Sequence, residues 1–134
     1  MKKKKLKISS KDSRGEIIDI FQNEKYEHAT IVTFKKNSIR GNHFHKKSTQ
    51  YSLILSGKFI SKEVKINSKG SYQKSKIKTM KLDMYNYIIH KPNYAHSFKC
   101  LSSKGKLLAF TKGLRGGVNY EKDTFRLKKN LISN

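Results

Sequence analysis

The sequence has 134 residues, 35% of them hydrophobic, which is enough for one modest core and too short for two independent ones. No apolar run reaches the roughly eighteen residues of a membrane helix, so a membrane partner is not expected. The formal net charge of +22 invites nucleic acid as a partner, but only Arg14, Arg40, Arg115 and Arg126 are arginine, and the lysines are spread over the chain. Bidentate gripping of phosphate or base edges favours arginine, so no specific nucleic-acid binding is expected.

In chain order, Met1-Lys2-Lys3-Lys4-Lys5-Leu6-Lys7 is basic and lacks the apolar region of a secretory signal, so it reads as a solvated tail on a cytoplasmic protein. Residues 12–21 read as a turn followed by a strand able to pair at a sheet edge or swap to a partner subunit. Residues 29–34 are β-branched and apolar, and residues 51–56 alternate until Gly57 breaks them. Residues 58–67 and 72–82 form an expected hairpin around Ser68-Lys69-Gly70-Ser71. Residues 85–90 and 106–111 supply two further strands, and only 121–131 suits a short helix. Many short strands with one proline favour an antiparallel sandwich or barrel. Tyr51, Leu53 and Leu55 serve equally as an apolar dimer face or as core. Cys100 is the only cysteine, which excludes an internal disulfide framework and a cysteine-rich zinc site; it reads as a strand cysteine.

The densest chemistry lies in Arg40-Gly41-Asn42-His43-Phe44-His45. In a strand, residues two apart share a face, so His43 and His45 project together and Phe44 turns away. Two adjacent imidazoles can hold a divalent metal or shuttle protons. Four residues separate His45 from Gln50 and six separate Gln50 from Gly57; further on comes Lys91-Pro92-Asn93-Tyr94-Ala95-His96. This spacing resembles the cupin superfamily, whose first motif runs H-x-H, three or four residues, E, six residues, G, and whose second ends on a histidine after a proline-containing turn. The four metal-ligand positions map onto His43, His45, Gln50 and His96. The chain departs at Gln50, where metal-binding cupins usually carry glutamate, and no acidic residue lies between His45 and Gly57. The resemblance implies an all-β fold, a cupin-type double-stranded β-helix (jelly-roll barrel) of two antiparallel sheets. It also implies a single domain over 1–134: a basic tail and edge strand at 1–11, a barrel core at 35–114 and an extension at 115–134.

Within the cupins, Arg40-Gly41-x-His43 followed by a glutamine and a glycine resembles nucleotide-sugar 3,5-epimerases acting on 4-keto-6-deoxyhexoses. The same window is closer still to sugar 3,4-ketoisomerases. Residues 115–126 resemble the tail of small stand-alone cupins encoded with polysaccharide genes. These resemblances imply a homodimeric isomerase or epimerase of surface polysaccharide biosynthesis, acting on a dTDP- or UDP-linked 4-keto sugar with no required cofactor. A neutral imidazole can remove the acidified proton beside a 4-keto group, and His43 is the first choice as base, with His45 as relay. Arg40 suits an oxyanion or a pyrophosphate. Gln50, Tyr94 and His96 complete the expected substrate contacts. Tyr94 and Tyr51 are candidate acids, and Glu27 or Asp83 candidate orienters. The competing reading is a metallocupin, with zinc, iron or nickel on His43, His45, Gln50 and His96, either metal-dependent in activity or binding a ligand without turnover. His28 and His90 read as packed side chains.

Overall fold

Alternation of apolar and polar residues folds the chain into two five-stranded antiparallel sheets packed face to face, the jelly-roll arrangement that the short strands predict. The computed structural model describes residues 3–113 and 121–133; of the tail resembling polysaccharide-locus cupins, residues 115–120 lie outside it. The strands are β1 (Lys3–Lys5), β2 (Ser10–Asp12), β3 (Gly15–Ile17), β4 (His28–Lys35), β5 (Ile39–Phe44) and β6 (Thr49–Ser56). They continue as β7 (Phe59–Lys65), β8 (Lys78–Leu82), β9 (Asn86–His90), β10 (Tyr94–Cys100), β11 (Lys104–Lys112) and β12 (Phe125–Arg126). One sheet has the order β1-β9-β6-β11-β4 and the other β12-β5-β10-β7-β8, while β2 and β3 form a separate hairpin.

The inward faces meet over Phe34, Ile54, Phe59, Leu82, Ile88, Phe98, Cys100, Leu107 and Ala109, with Cys100 packed among them as the sequence suggests. Each large apolar side chain buried here contributes about 1.5–3 kcal/mol. A second cluster, Phe44, Val64, Ile66, Ala95 and Leu131, lies on the other side of the β5-β10-β7 ladder and is covered by Tyr72, Ile77, Phe125 and Leu127. Phe44 therefore does turn away from its flanking histidines, under a strap made by the chain's C-terminal part.

Three local expectations are corrected. Residues 121–131 do not form a helix over their length: Phe125–Arg126 is a strand paired with β5, because Leu127 and Leu131 gain more by covering the second cluster. The expected hairpin pairs β7 with β8, but β8 begins only at Lys78, since 72–77 is taken up by a loop and a 3-10 turn at Lys74–Lys76. The strand of 12–21 is only Gly15–Ile17 and pairs with β2; the main sheet is edged instead by β1 on β9.

Candidate active site

Strand register assembles one polar layer across the barrel. On one sheet Arg126 pairs with His43, His43 with His96 and His96 with Glu63. On the facing sheet His28 pairs with Thr111, Thr111 with Gln50 and Gln50 with His90. Below this layer the interior is apolar. Polar groups from eight strands thus converge at one level, and apolar packing beneath them fixes their height.

A β-bulge aims the first histidine. His96 pairs with His43 while the next residue, Ser97, pairs with Gly41, leaving Asn42 as the extra residue. Gly41 sits at φ +92°, where a Cβ would come within 2.8 Å of the His96 carbonyl oxygen, so only glycine fits. Asn42 Oδ1 accepts the Leu131 amide at 2.8 Å, which ties the bulge to the C-terminal strap. The proline-containing turn closes on the first motif directly, since the Asn93 amide donates to the His45 carbonyl at 2.7 Å.

His43, His45 and His96 are all buried, and each offers a ligand nitrogen within 4.8 Å of the other two. Ring centroids lie 5.0 Å apart for His43 and His45, 5.0 Å for His43 and His96, and 5.8 Å for His45 and His96. His45 Nδ1 donates to the Asp123 carbonyl at 2.7 Å, and His96 Nδ1 donates to the Tyr94 carbonyl at 3.2 Å. Both tautomers therefore present Nε2 as the basic nitrogen. His96 Nε2 is buried and has no hydrogen-bond partner among the described residues. Burial holds His96 well below the usual histidine value, the charges of His90, His43 and His45 push it the same way, and the Tyr94 carbonyl opposes them. His96 is thus neutral at physiological pH, fit to act as a base or a ligand.

The layer opens into a cleft of about 360 Å³ lined by Arg40, Gly41, His43, Gln50, His96 and Arg126 over an apolar floor that includes Phe34 and Phe98. Arg40 is held by its Nε donating to the Thr33 carbonyl at 3.1 Å, with its guanidinium 5.6 Å from the Phe34 ring centroid. Gln50 Nε2 donates to Ser52 Oγ at 3.0 Å.

Other expected participants fall elsewhere. Tyr51 points to the opposite face of β6 from Gln50, where it packs edge-on against Tyr26 at 5.1 Å. Tyr94 gives the cluster its backbone carbonyl, and its side chain is not among the described residues lining the cleft. Glu27 accepts the Gly113 amide, and Asp83 pairs with Lys5 at the far sheet edge, so neither orients an imidazole. His28 hydrogen-bonds Thr30 within β4.

Four residues at the site escape the sequence reading. Arg126 lines the cleft and is held by a two-pronged pair with Glu121. Asp123 accepts the amides of Lys46, Lys47 and Ser48 at 2.9–3.2 Å and so shapes the loop after His45. Burial alone would raise its carboxyl, but hydrogen bonds from Lys46, Ser48 and Lys47 outweigh it and lower the value. Glu63 and His90 lie buried beside His96. Alternation along β9, where His90 shares a face with the buried Ile88, is a signal that finds His90; Arg126 and Asp123 have no local signal at all.

The fold is a jelly roll of the RmlC-like cupin type. Residues 10–112 match the polysaccharide biosynthesis C-terminal domain family, and the chain belongs to that family. No curated protein matches the sequence. Among solved structures, a dTDP-4-dehydrorhamnose 3,5-epimerase from Elizabethkingia anophelis superposes with TM-score 0.75 at 14% identity, over 94% of this chain and 74% of its own. QdtA, a sugar 3,4-ketoisomerase from Thermoanaerobacterium thermosaccharolyticum in complex with TDP, gives TM-score 0.72 at 20% identity, covering 95% and 88%. A 3,4-ketoisomerase from Helicobacter canadensis gives 0.72 at 18%, covering 93% and 89%. At such identities the likeness establishes the fold. Among the described residues no helix is long and apolar enough to cross a membrane.

Proposed function

We propose that the chain is an isomerase or epimerase acting on a nucleotide-linked 4-keto-6-deoxy sugar, dTDP- or UDP-linked, in polysaccharide biosynthesis. The observation that carries this reading is the buried cluster of His43, His45 and His96, of which His43 and His96 line a cleft walled by Arg40 and Arg126. The cleft volume is in the range of small-ligand sites. The likeness in fold to enzymes named as 3,5-epimerases and 3,4-ketoisomerases, one of them complexed with TDP, supports the same class.

In this mechanism His43 takes the proton from C3, acidified by the C4 ketone, and the electron pair passes to the C4 oxygen as an enediolate. Arg40 stabilises that oxyanion or holds the pyrophosphate, with Arg126 beside it. Return of a proton to C3 from the opposite face gives the epimer. Protonation at C4, with transfer of the C3 hydroxyl proton through His45 to the C4 oxygen, gives the 3-keto isomer. Gln50 and His96 orient the sugar hydroxyls, and Tyr94 stays outside the proton-transfer steps.

A second reading rests on the same three nitrogens. His43, His45 and His96 fit a divalent transition ion such as Zn, Ni or Fe, because two of the rings have Nδ1 occupied by backbone carbonyls and the His96 Nε2 is an orphaned buried acceptor. Gln50 would be an uncharged fourth ligand. Such an ion would act as a Lewis acid toward a substrate carbonyl. A homodimer joined through the outer β6-β11 face accords with the exposed Ile20, Phe21 and Ile31.

The test combines thermal-shift titration with dTDP and UDP, elemental analysis, and incubation of a dTDP-4-keto-6-deoxyhexose in D2O followed by NMR. Loss of the C3 proton signal with wild type and not with His43→Ala supports the isomerase reading. Nucleotide binding that persists in Arg40→Ala marks mere cationic adhesion. One bound metal per chain, with no nucleotide effect and no exchange, moves the assignment to the metallocupin.

A further inference from the structure

Behind the three-histidine cluster, at the closed end of the polar layer, lies a pair that the proposed chemistry does not use. Glu63 on β7 and His90 on β9 come from opposite sheets, and His90 Nδ1 donates to Glu63 Oε2 at 3.1 Å. Their side chains are only 5% and 1% exposed. The His90 ring stacks on His96 with centroids 4.1 Å apart and planes 20° apart, and Phe98 closes its edge at 5.6 Å. Glu63 is also the direct cross-strand neighbour of His96.

Such a pair is an expensive way to fill a core. Desolvating a carboxylate and an imidazole offsets most of their attraction, and apolar residues of similar volume commonly do as well or better for stability. The interior beneath the layer is aliphatic and aromatic, so leucine at these positions would extend that packing. Among the described residues the His96 ring, by contrast, has a single hydrogen bond, to the Tyr94 carbonyl at 3.2 Å. One tether at that length leaves the ring plane loosely set, and the flat face of His90 supplies the missing constraint. Glu63, reaching from the neighbouring strand, fixes the plane of His90 in turn.

We propose that Glu63 and His90 are positioning residues: the pair clamps the His96 ring between two sheets so that its Nε2 stays directed at the cluster shared with His43 and His45. Neither residue touches substrate. The assignment concerns the site itself; its catalytic consequence rests on the isomerase reading above.

The test uses the full chain in four forms: wild type, Glu63→Gln, His90→Leu and the double variant Glu63→Leu/His90→Leu. Long-range 1H–15N correlation spectra of the imidazoles, recorded without substrate, report the tautomer and exchange of the His96 ring. The expected result is a single Nδ1–H tautomer for His96 in wild type and Glu63→Gln, whose amide oxygen still accepts from His90. Both leucine variants should show a mixed or broadened His96 signal, although the double variant melts at or above the wild-type temperature. In turnover, on the order of a tenfold loss in kcat with KM nearly unchanged is expected for the leucine variants, since misplacing a reacting group by a fraction of an ångström is costly. Glu63→Gln should retain most of the rate. An unchanged His96 spectrum in a folded leucine variant overturns the proposal, as does a melting temperature that falls in the double variant with His96 unaltered, which makes the pair merely structural. If wild type turns over no nucleotide sugar, the isomerase reading fails, and the spectra still decide the positioning role.

Discussion

The Asp123 carbonyl accepts the Nδ1–H of His45 at 2.7 Å across 78 residues of sequence, while the Asp123 carboxylate gathers the amides of the three residues that follow His45. One residue of the C-terminal strap thus sets both the tautomer of a cluster histidine and the loop that carries it. The strap is part of the site, not an appendage to the barrel.

Replacing Asp123 with alanine leaves three buried or half-buried amides without their acceptor and should cost about 1–3 kcal/mol. Its carboxyl is lowered below the ordinary 3.8 in the folded chain, so the unfolded chain binds its proton more readily. The stabilisation is therefore present above that ordinary value and is lost as pH falls through the lower, folded value. Chemical denaturation of wild type and Asp123→Ala at pH 7 and at pH 3 measures this. The gap between them should be narrower at pH 3 than at pH 7; a gap that does not depend on pH would assign the effect to lost packing alone.

Gly41→Ala places a Cβ within 2.8 Å of the His96 carbonyl in a backbone conformation with φ +92°. Backbone strain of about 1–3 kcal/mol is expected, and relief of the clash must move β10 and His96 with it. The variant should melt several degrees lower and lose activity out of proportion to its folded fraction. Wild-type turnover in the folded variant would mean that the bulge does not aim the cluster.

Gln50→Glu supplies the carboxylate that the three histidines lack. Zinc affinity, measured by competition with a chromophoric chelator, should rise by about tenfold or more, as charge on a coordinating oxygen compensates the ion. Metal-free Gln50→Glu should be less stable than wild type, because the position is 5% exposed and an unpaired carboxylate there is costly. Equal zinc affinity in the two proteins would place the ion, if any, away from residue 50.

The outer face of the β6-β11 pair carries an aromatic group in which Phe21 meets Tyr26 at 4.5 Å and Phe110 at 5.2 Å, with Ile31 62% exposed nearby. Light scattering should give twice the chain mass for wild type, and the monomer mass for a Phe21→Glu/Ile31→Lys variant. A monomeric wild type at every concentration rules out the dimer.

What the sequence determined by itself is local and periodic. The two-residue repeat put His43 and His45 together and sent Phe44 to the other surface, and short β-branched runs between turns specified an all-β barrel. The spacing from His43 through Gln50 to His96 resembles the cupin pattern, and a bulge, a loop and a turn bring those three positions to one level. The same alternation already separates Tyr51 from Gln50 and turns His90 inward beside Ile88. Tertiary structure alone decided the rest. Asp123 and Arg126 reach the site only when the C-terminal strap covers the apolar patch around Phe44 and Leu131, and Glu63 meets His90 only when the two sheets pack. Long-range pairing of this kind leaves no periodic trace in sequence, since its partners are chosen by which apolar surfaces must be buried together.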